Sequence, residues 1–438
     1  MSAPRRWVAR LRDVVRGRDR SFWAVLAIGA VALVVRVVVA HRLGYVRGYN
    51  DGDQADYRTL AYDIIGGNGY RTASGARTAF RSVGYPLFLA GAIRIGHAVP
   101  VELPIRMIIG FAQAFVGTVT VVVTGLLARR RCSPLAGIVA ASVLALWPSL
   151  VLMTGIALTE TLFACLLACG IAIAFWSAQP TERRLRWAGV VLGLATLTRP
   201  AAVPVVAVVA VSVWARRADA KRARQACGAL AVGFLLALLP WVFRNALEIG
   251  ALIPTDTHGG YALCQSNRPG AGPEDHADPY CEFRGTSEVT NDRRLRNRAL
   301  HWMATHPGAE AVLVVQRAGV LLREDGDIVG ELVDPNGPDP EWSPATADTA
   351  RRLADWYWWV VLPPAVLGVA ILVRRRSTRW LAASYLSVMA LPLLVTVVPR
   401  FHQPVAPLLA MGVGVTVEAA VGARRRADER RRSPVAAG

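Results

Sequence analysis

Long apolar runs separated by short polar segments make up most of this chain of 438 residues. Many runs are near or above the ~20 residues that an α-helix needs to cross the hydrocarbon core of a bilayer. The pattern predicts an all-α polytopic membrane protein. The short runs on either side of Arg199-Pro200 form either one bent span or two short ones, and a count of about ten transmembrane helices treats them as two. The predicted spans are 22–41, 104–127, 134–150, 158–177, 187–198, 201–214, 228–246, 356–373, 380–398 and 404–421.

Two shorter apolar patterns lie in the first long loop, residues 42–103. One ends at Gly66 and Gly67, because glycine readily adopts the left-handed conformation that ends a helix. The other covers 86–97 and starts at Pro86, since proline suits the first turn of a helix. Both are too short to span, so we expect interfacial helices on the outer bilayer surface. The alternative is a soluble loop with solvated carboxylates. The stripe of the first helix is Tyr57, Leu60, Ala61, Ile64 and Ile65.

Composition and charge change this picture in one respect, the orientation. Hydrophobic residues make up 53% of the chain and the mean hydropathy is +0.35, which is unusual for a soluble protein. The net charge of +19 comes from basic clusters in alternate loops. This follows the positive-inside rule and places both termini in the cytoplasm, so the charge is a topology signal rather than a nucleic-acid footprint. The clusters lie at the N-terminus, at 129–131, 183–186, 216–224 and 374–379, and in the tail from 424.

The segment 248–355 has the opposite charge bias, with 18 acidic residues and 10 arginines. A long acidic loop fits the outer side of the membrane, and we expect a small mixed extracytoplasmic domain there. Cys264 and Cys281 lie in this loop. Two cysteines in an oxidising compartment commonly pair, so we predict a disulfide between them. The other four cysteines lie in or near spans and are expected to be inert.

The predicted organisation is that of a multi-pass plasma-membrane protein with an uncleaved signal anchor, since Arg36 inside the first apolar run argues against cleavage. Arg36 itself either snorkels to the outer interface or contacts an anionic lipid phosphate near Asp53. The expected parts are a cytoplasmic N-terminus (1–21), a transmembrane catalytic half (22–247) with the outer loop 42–103, an extracytoplasmic domain (248–355), C-terminal transmembrane helices (356–421) and a basic cytoplasmic tail (422–438).

The predicted topology gathers several charged residues on the outer side. Asp53 and Glu160 form a pair of acids facing one side of the membrane core. Alternatively, Glu160 is a carboxylate favoured by the dipole at a helix start, with Thr159 as a cap. Arg199 and Arg400 lie at outer span ends, against the positive-inside trend. A guanidinium offers a planar fork that matches a phosphate, and the alternative for each arginine is an interface anchor.

Seven stretches, in order, carry a resemblance to a known family. They are Asp53-x-x-Asp56-Tyr57-x-x-Leu60-Ala61, Gly67-x-Gly69-Tyr70, Gly84-Tyr85-Pro86-Leu87-Phe88, Thr159-Glu160, Gly193-Leu-Ala-x-Leu-Thr-Arg199-Pro200, Trp241-x-x-Arg244-Asn245 and Arg400-Phe-x-x-Pro404-x-x-Pro407. Together they resemble polyprenyl-phosphate-sugar transferases with the glycosyltransferase C fold, glycosyltransferase family 39. The group of bacterial members that includes protein O-mannosyltransferases and lipid A aminoarabinose transferases is the most similar. The resemblance leaves out much of 262–350.

The resemblance implies roles for the candidate residues. Asp53 resembles the catalytic base, and Glu160 the second acid facing the same cavity. Arg199 and Arg400 are candidates for gripping the donor phosphate. Further candidate substrate-binding residues in or near these stretches are Tyr57, Arg81, Tyr85 and Gln403.

A divalent metal is left open at this stage. The family often has an Asp-Glu pair in the first loop, whereas Gln54 follows Asp53 here. Glu160 and His258 are the candidate ligands. The alternative for His258 is a solvated side chain in a glycine-rich loop.

The function implied by the resemblance is an inverting transfer of a sugar from a polyprenyl-phosphate donor to a protein, glycan or lipid of the cell envelope, with no nucleic-acid partner. Mannose, arabinose and aminoarabinose are all chemically admissible. The alternatives are a transporter or flippase of lipid-linked sugars, and a scaffold whose acidic outer domain binds a partner. Lys221 is the only lysine, which suggests a GC-rich, actinobacterial genome.

Overall fold

The computed structural model describes residues 19–43, 52–274, 278–284, 287–332, 343–395 and 397–432. Most of the cytoplasmic segment predicted at 1–21 and the end of the tail predicted at 422–438 lie outside the described residues. Within the described ranges the secondary structure is helical, with one isolated β-bridge between Arg71 and Arg77.

The described helices follow one another with short connections. In chain order they are α1 (Arg20–Leu43), α2 (Gly52–Ile65), α3 (Gly84–His97), α4 (Ile105–Arg131), α5 (Pro134–Leu146), α6 (Pro148–Leu152), α7 (Glu160–Phe175), α8 (Glu182–Thr198), α9 (Val203–Ala215), α10 (Ala220–Glu248), α11 (Gly259–Ser266), α12 (Glu288–Thr305), α13 (Pro307–Arg323), α14 (Pro344–Arg374), α15 (Arg379–Ser387), α16 (Ala390–Leu394) and α17 (Ala406–Arg432). Short 3-10 helices lie at Met153–Gly155, Pro200–Ala202, Pro279–Cys281, Gly326–Glu331 and Pro399–Val405.

Among the described helices, five are long and apolar enough to cross a membrane: α1, α4, α10, α14 and α17. The number becomes six if α5 and the turns at Pro148–Gly155, which meet at 59°, form one broken span. Helices α7 and α9 are apolar but shorter. The chain is therefore a helical membrane protein with several spans.

Two predicted segments differ from the structure. The span predicted at 380–398 is not one helix, because α15 ends at Ser387 and α16 has only five residues. Pro392 lies in this stretch and Pro399 directly follows it, and proline lacks the backbone donor that a continuous helix requires. The domain predicted as mixed at 248–355 is helical in its described part, and α14 runs through residue 355.

The two short helices of the first long loop are present as α2 and α3. Gly67, just after α2, has a φ of +74°, the left-handed conformation expected of a glycine that ends a helix. Helix α3 buries Tyr85, Leu89 and Ile93. A Cβ added at Gly84 would lie 2.8 Å from a main-chain atom of Leu197, so α3 begins against the end of α8.

Helices α8 and α10 cross with their backbones in contact. A Cβ added at Gly189 would lie 2.1 Å from the carbonyl oxygen of Leu230, and one added at Gly233 would lie 1.9 Å from that of Arg186. Small residues allow this approach in a membrane, where packing rather than the hydrophobic effect joins helices. The crossing fixes the position of α8, whose last residue precedes Arg199.

Arg36 points from α1 into the helix bundle. Its side chain is 2% exposed and donates to the carbonyl oxygens of Leu144 at 3.1 Å and Ala32 at 3.4 Å. Gly117 of α4 leaves room for it, since a Cβ there would lie 3.0 Å from the Arg36 Nε. Both expectations for Arg36, snorkelling and contact with a lipid phosphate, are therefore wrong.

Candidate active site

Four predicted polar side chains line one cavity of about 720 Å³. Asp53 lies in the first turn of α2, and Glu160 is the first residue of α7. Arg199 follows the last residue of α8, and Arg400 lies in the 3-10 helix Pro399–Val405. Each side chain therefore comes from a helix end or a short helix, and segments distant in sequence meet at one place.

The Glu160 carboxylate joins two guanidiniums. It is 4% exposed, and its Oε1 lies 2.9 Å from Arg199 Nη1 and 3.6 Å from Arg400 Nε. The Thr159 hydroxyl donates to Oε2 at 3.3 Å. Arg400 Nη1 also lies 3.4 Å from Asp327 Oδ2. The two arginines thus share one buried carboxylate while their side chains still reach the cavity.

Asp53 forms a second ionic cluster with Arg81. The Arg81 Nη2 donates to Asp53 Oδ1 at 2.6 Å and to Asp56 Oδ2 at 2.8 Å. Burial acts to lower the pKa of the Arg81 guanidinium, but the nearby acidic groups outweigh it and raise that pKa above its ordinary value. Half of the Asp53 side chain remains exposed. Arg81 thus fixes an accessible carboxylate at the cavity wall. The Arg81 guanidinium carbon itself lies over the ring of Tyr57, 5.7 Å from the ring centroid.

Buried hydrogen bonds connect the helix of Asp53 to the segment before Glu160. Gln54 Oε1 accepts from the Ala157 backbone N–H at 2.9 Å. The Tyr85 hydroxyl donates to Gln113 Oε1 at 3.1 Å, and the Gln113 amide donates to the Ile156 carbonyl oxygen at 2.7 Å. These contacts hold α2 and α3 in register with the start of α7.

Two predicted substrate-binding residues do not line the large cavity. Tyr85 is fully buried and supports Tyr57 from behind, with ring centroids 5.2 Å apart in an edge-to-face contact. Gln403 is 1% exposed and lines a separate small cavity of about 30 Å³ beside Arg36 and Glu160. Both lie behind the wall because the helices that carry the cavity-lining residues pack over them.

Sequence reasoning missed Asp256. This carboxylate lines the cavity and accepts hydrogen bonds from the Ser82 hydroxyl and from the backbone N–H groups of His258 and Gly259. Burial raises its pKa to about 6. Ser82 follows Arg81, so adjacent residues hold the Asp256 and Asp53 carboxylates. The surrounding Gly- and Pro-rich loop has no periodicity that marks Asp256.

One face of α12 was also missed. Val289, Asp292, Arg293 and Arg296 line the cavity and have the i, i+3, i+4, i+7 spacing of a single helical face. The sequence alone does not show what the polar residues of this helical face contact.

The described residues do not fit a divalent metal. They include no group of three or more His, Cys, Asp or Glu side chains arranged to hold one. Glu160 is already paired with guanidiniums. The His258 ring packs edge-to-face on Phe80, with the ring centroids 5.0 Å apart.

The cavity also has an apolar wall. Part of it is formed where the predicted span 380–398 breaks between α15 and the 3-10 helix Pro399–Val405. One cavity therefore combines arginines and carboxylates with apolar side chains. The residues of this wall include Val388, Met389, Leu391, Val395 and Val398.

Sequence comparison finds no protein-family model and no curated protein that matches this chain. Structural comparison does find similar proteins. The oligosaccharyltransferase of Archaeoglobus fulgidus in its apo form superposes on 92% of this chain with a TM-score of 0.51 and 15% identity. The chain has the glycosyltransferase C fold. The resemblance seen in the sequence is thereby confirmed at the level of the fold.

Two further structures extend this comparison. The archaeal enzyme AglB in complex with an inhibitory peptide and a dolichol-phosphate superposes on 95% of this chain, with a TM-score of 0.51 and 14% identity. The chain spans about half of these oligosaccharyltransferases, 52% of their length. ArnT from Cupriavidus metallidurans bound to undecaprenyl phosphate aligns over 93% of this chain and 80% of its own, with a TM-score of 0.40 and 14% identity.

Proposed function

We propose that this chain is an inverting glycosyltransferase that moves a sugar from a polyprenyl-phosphate donor to an acceptor of the cell envelope. The observation that carries the proposal is the single cavity of about 720 Å³ that combines Asp53, Arg199 and Arg400 with an apolar wall. A lipid-linked sugar needs these three surfaces: a base, a phosphate grip and a hydrocarbon face. The fold shared with an enzyme solved in complex with a dolichol-phosphate supports the same assignment.

The residues support a direct displacement. Asp53 takes the proton of the acceptor hydroxyl, and the hydroxyl oxygen forms a bond to the anomeric carbon. The bond from that carbon to the phosphate oxygen breaks, and its electron pair leaves on the polyprenyl phosphate. Arg199 and Arg400 stabilise the negative charge of this leaving group. Attack on the face opposite the phosphate inverts the anomeric carbon.

Glu160 and Arg81 act as positioning residues in this mechanism. Glu160 holds both phosphate-binding guanidiniums through one carboxylate. Arg81 holds Asp53 through a 2.6 Å contact. Tyr57 lines the cavity below Arg81, where it offers a ring face to the sugar.

Charge distribution supports a site on the outer face of the plasma membrane. Helix α7 begins at Glu160 and ends near Arg130, whose Nε donates to the Trp176 carbonyl oxygen at 3.4 Å. Sixteen residues of helix separate the two ends by about 24 Å. Arg130 belongs to a basic cluster that the positive-inside rule assigns to the cytoplasm, so the cavity opens on the opposite side. In this arrangement the chain has about ten spans with both termini inside.

The test is a transfer assay with the purified full chain. The protein is incubated with a radiolabelled polyprenyl-phosphate mannose or arabinose and a cell-envelope extract, and covalent product is measured. We expect product from the wild type. Asp53→Asn should lower the rate at least about 100-fold, the scale of general-base catalysis, without loss of expression.

Other outcomes would contradict the proposal. Retained activity in Asp53→Asn removes this residue from the role of base. Movement of the labelled lipid across a vesicle membrane without covalent product favours a transporter. Absence of both covalent product and lipid movement favours a scaffold.

A further inference from the structure

Helix α12 brings two guanidiniums to the mouth of the cavity. Its residues Asp292, Arg293 and Arg296 lie on the face that lines the cavity. Arg296 is paired with Asp292 at 2.6 Å. Arg293 is exposed and forms no hydrogen bond or ion pair with the residues that the structure describes. By contrast, Arg81, Arg199 and Arg400, which line the same cavity, each contact a carboxylate.

Hydrogen bonds and a close backbone contact hold α12 in its position. Glu288, at its start, accepts hydrogen bonds from the Thr78 hydroxyl at 2.8 Å and from the Ala79 backbone N–H at 2.7 Å. At Gly260 of α11 a Cβ would lie 2.1 Å from the Asp292 carbonyl oxygen, and the Gly260 N–H donates to Asp292 Oδ1 at 2.7 Å. Backbone contact between α11 and α12 therefore fixes the height of the guanidiniums over the cavity.

The disulfide adds a second attachment. Cys264 of α11 is bonded to Cys281, the pair expected from the sequence. Both are fully buried and pack against Leu295 and Ala299 of α12. The side of α12 away from the cavity thus packs against this disulfide, and the side that carries Arg293 is left facing the cavity.

This face belongs to the acceptor side of the site. Thr78 and Ala79, which bind Glu288, precede Arg81, the residue that holds Asp53. The base in the proposed function must approach the acceptor hydroxyl, whereas the donor phosphate approaches Arg199 and Arg400. A guanidinium fixed on the Asp53 side therefore meets the acceptor.

Resting on the proposed function, we propose that the acceptor is an acidic molecule that carries a carboxylate or a phosphate near its reacting hydroxyl, bound by Arg293 and Arg296. A planar guanidinium matches either group with two parallel hydrogen bonds. Arg293 supplies a guanidinium that is paired with no carboxylate of the described residues, so the acceptor does not have to displace one. Arg296 exchanges its contact with Asp292 for one with the acceptor.

The test is donor-free binding to the purified full chain, measured by titration calorimetry. The probes are two matched pairs: tetragalacturonate with its methyl ester, and phosphorylated maltotetraose with maltotetraose. We expect the charged member of at least one pair to bind the wild type about tenfold or more tightly than its neutral partner, the scale of one charge-assisted hydrogen bond. The pair that responds identifies carboxylate or phosphate as the recognised group.

Variants assign the preference to α12. The double variant Arg293→Gln with Arg296→Gln should reduce the preference for the charged probe to about threefold or less. Arg293→Gln alone, which removes no contact that supports the fold, should reduce this preference partly. Arg352→Gln is the matched control, because Arg352 is 79% exposed on α14 and does not line the cavity. It should keep the full preference.

Three results would overturn this proposal. One is equal binding of charged and neutral probes to the wild type. The second is a preference for the charged probe that the double variant does not lower more than Arg352→Gln does. The third is a loss of undecaprenyl phosphate binding in the double variant, which would assign these arginines to the donor. Because no sugar is transferred in this assay, its failure is distinct from failure of the transfer assay.

Discussion

The Glu160 carboxylate lies 2.9 Å from Arg199 and 3.6 Å from Arg400. Two buried or half-buried guanidiniums side by side repel each other, and one carboxylate between them offsets that repulsion. A phosphate arriving in the cavity supplies the same kind of charge. In the proposed function, Glu160 therefore holds the two guanidiniums in place between turnovers, which is a different role from that proposed for Asp53.

This leads to a prediction for Glu160→Gln. Removal of one partner from a buried ion pair costs about 3–5 kcal/mol, and we expect about 2–3 kcal/mol here because both arginines also reach the cavity. Undecaprenyl phosphate should then raise the melting temperature of the variant more than that of the wild type, since it replaces the missing charge. Thermal melts with and without the lipid measure both effects. Equal lipid-induced shifts in the two proteins would contradict this role of Glu160.

Asp256 gives a prediction for pH. Burial raises its pKa to about 6 from an ordinary value of 3.8, so between these values the native state holds a proton that the unfolded state has released. Stability contributed by this group is therefore present below about pH 4 and is lost as the pH rises through 6. We expect wild type to lose about 2 kcal/mol relative to Asp256→Asn over this range. Melts of both proteins at pH 4, 5, 6 and 7 test it, and a constant difference would refute it.

At the scale of elements, the backbone contact between α8 and α10 decides where Arg199 lies. A Cβ at Gly233 would lie 1.9 Å from the Arg186 carbonyl oxygen, whereas one at Gly228, on the same helix, would meet nothing within 4 Å. The same substitution at these two positions thus separates close packing from intrinsic helix preference.

We predict opposite signs for the two substitutions. Gly233→Ala should destabilise the protein by about 1–3 kcal/mol, the usual cost of overpacking, and should slow transfer because the end of α8 moves. Gly228→Ala should be neutral or stabilising by up to about 1 kcal/mol, since alanine favours a helix over glycine. Thermal stability and transfer rate are measured for both. A neutral Gly233→Ala would show that the helices separate without consequence.

Elements also show how far sequence reasoning reaches. Apolar length predicted α1, α4, α10, α14 and α17, because a run long enough to span has few other solutions. It did not predict the break after Ser387, since prolines within an apolar run interrupt a helix without changing its hydropathy. Nor did it predict the cavity-lining face of α12, whose spacing is visible in the sequence but whose partner across the cavity is not.

Within the site, the sequence predicted the residues at helix ends better than those behind them. One cavity is lined by Asp53, Glu160, Arg199 and Arg400. Each of them lies at or next to a helix end, or in a short 3-10 helix, on the same predicted side of the membrane. Tyr85 and Gln403 belong to the same stretches, but hydropathy cannot distinguish a residue that lines a cavity from one packed behind it. Asp256 was missed because its position depends on a long-range bond to Ser82.

At the scale of the whole molecule, two contacts bear on the prediction that both termini lie on the same side of the membrane. Asp19, just before α1, pairs with Arg129 at 2.8 Å. In the first third of α17, a Cβ at Gly414 would lie 2.5 Å from the carbonyl oxygen of Ala136, which is in the first turn of α5 beside the same basic cluster. Both termini on one side require an even number of spans, so the count of about ten stays a prediction beside the five helices, or six with the bent pair, that are long enough among the described residues.

This topology predicts the labelling of single cysteines. In a background with Cys132, Cys165, Cys169 and Cys227 replaced by serine and the disulfide retained, Arg352→Cys should react with a membrane-impermeant maleimide on intact cells. Arg426→Cys should react only after permeabilisation, because the basic end of α17 is retained in the cytoplasm. The reverse pattern would place the cavity in the cytoplasm. Reaction of both cysteines on intact cells would put the two ends of the last spans on one side, which an unbroken α17 of 27 residues does not allow.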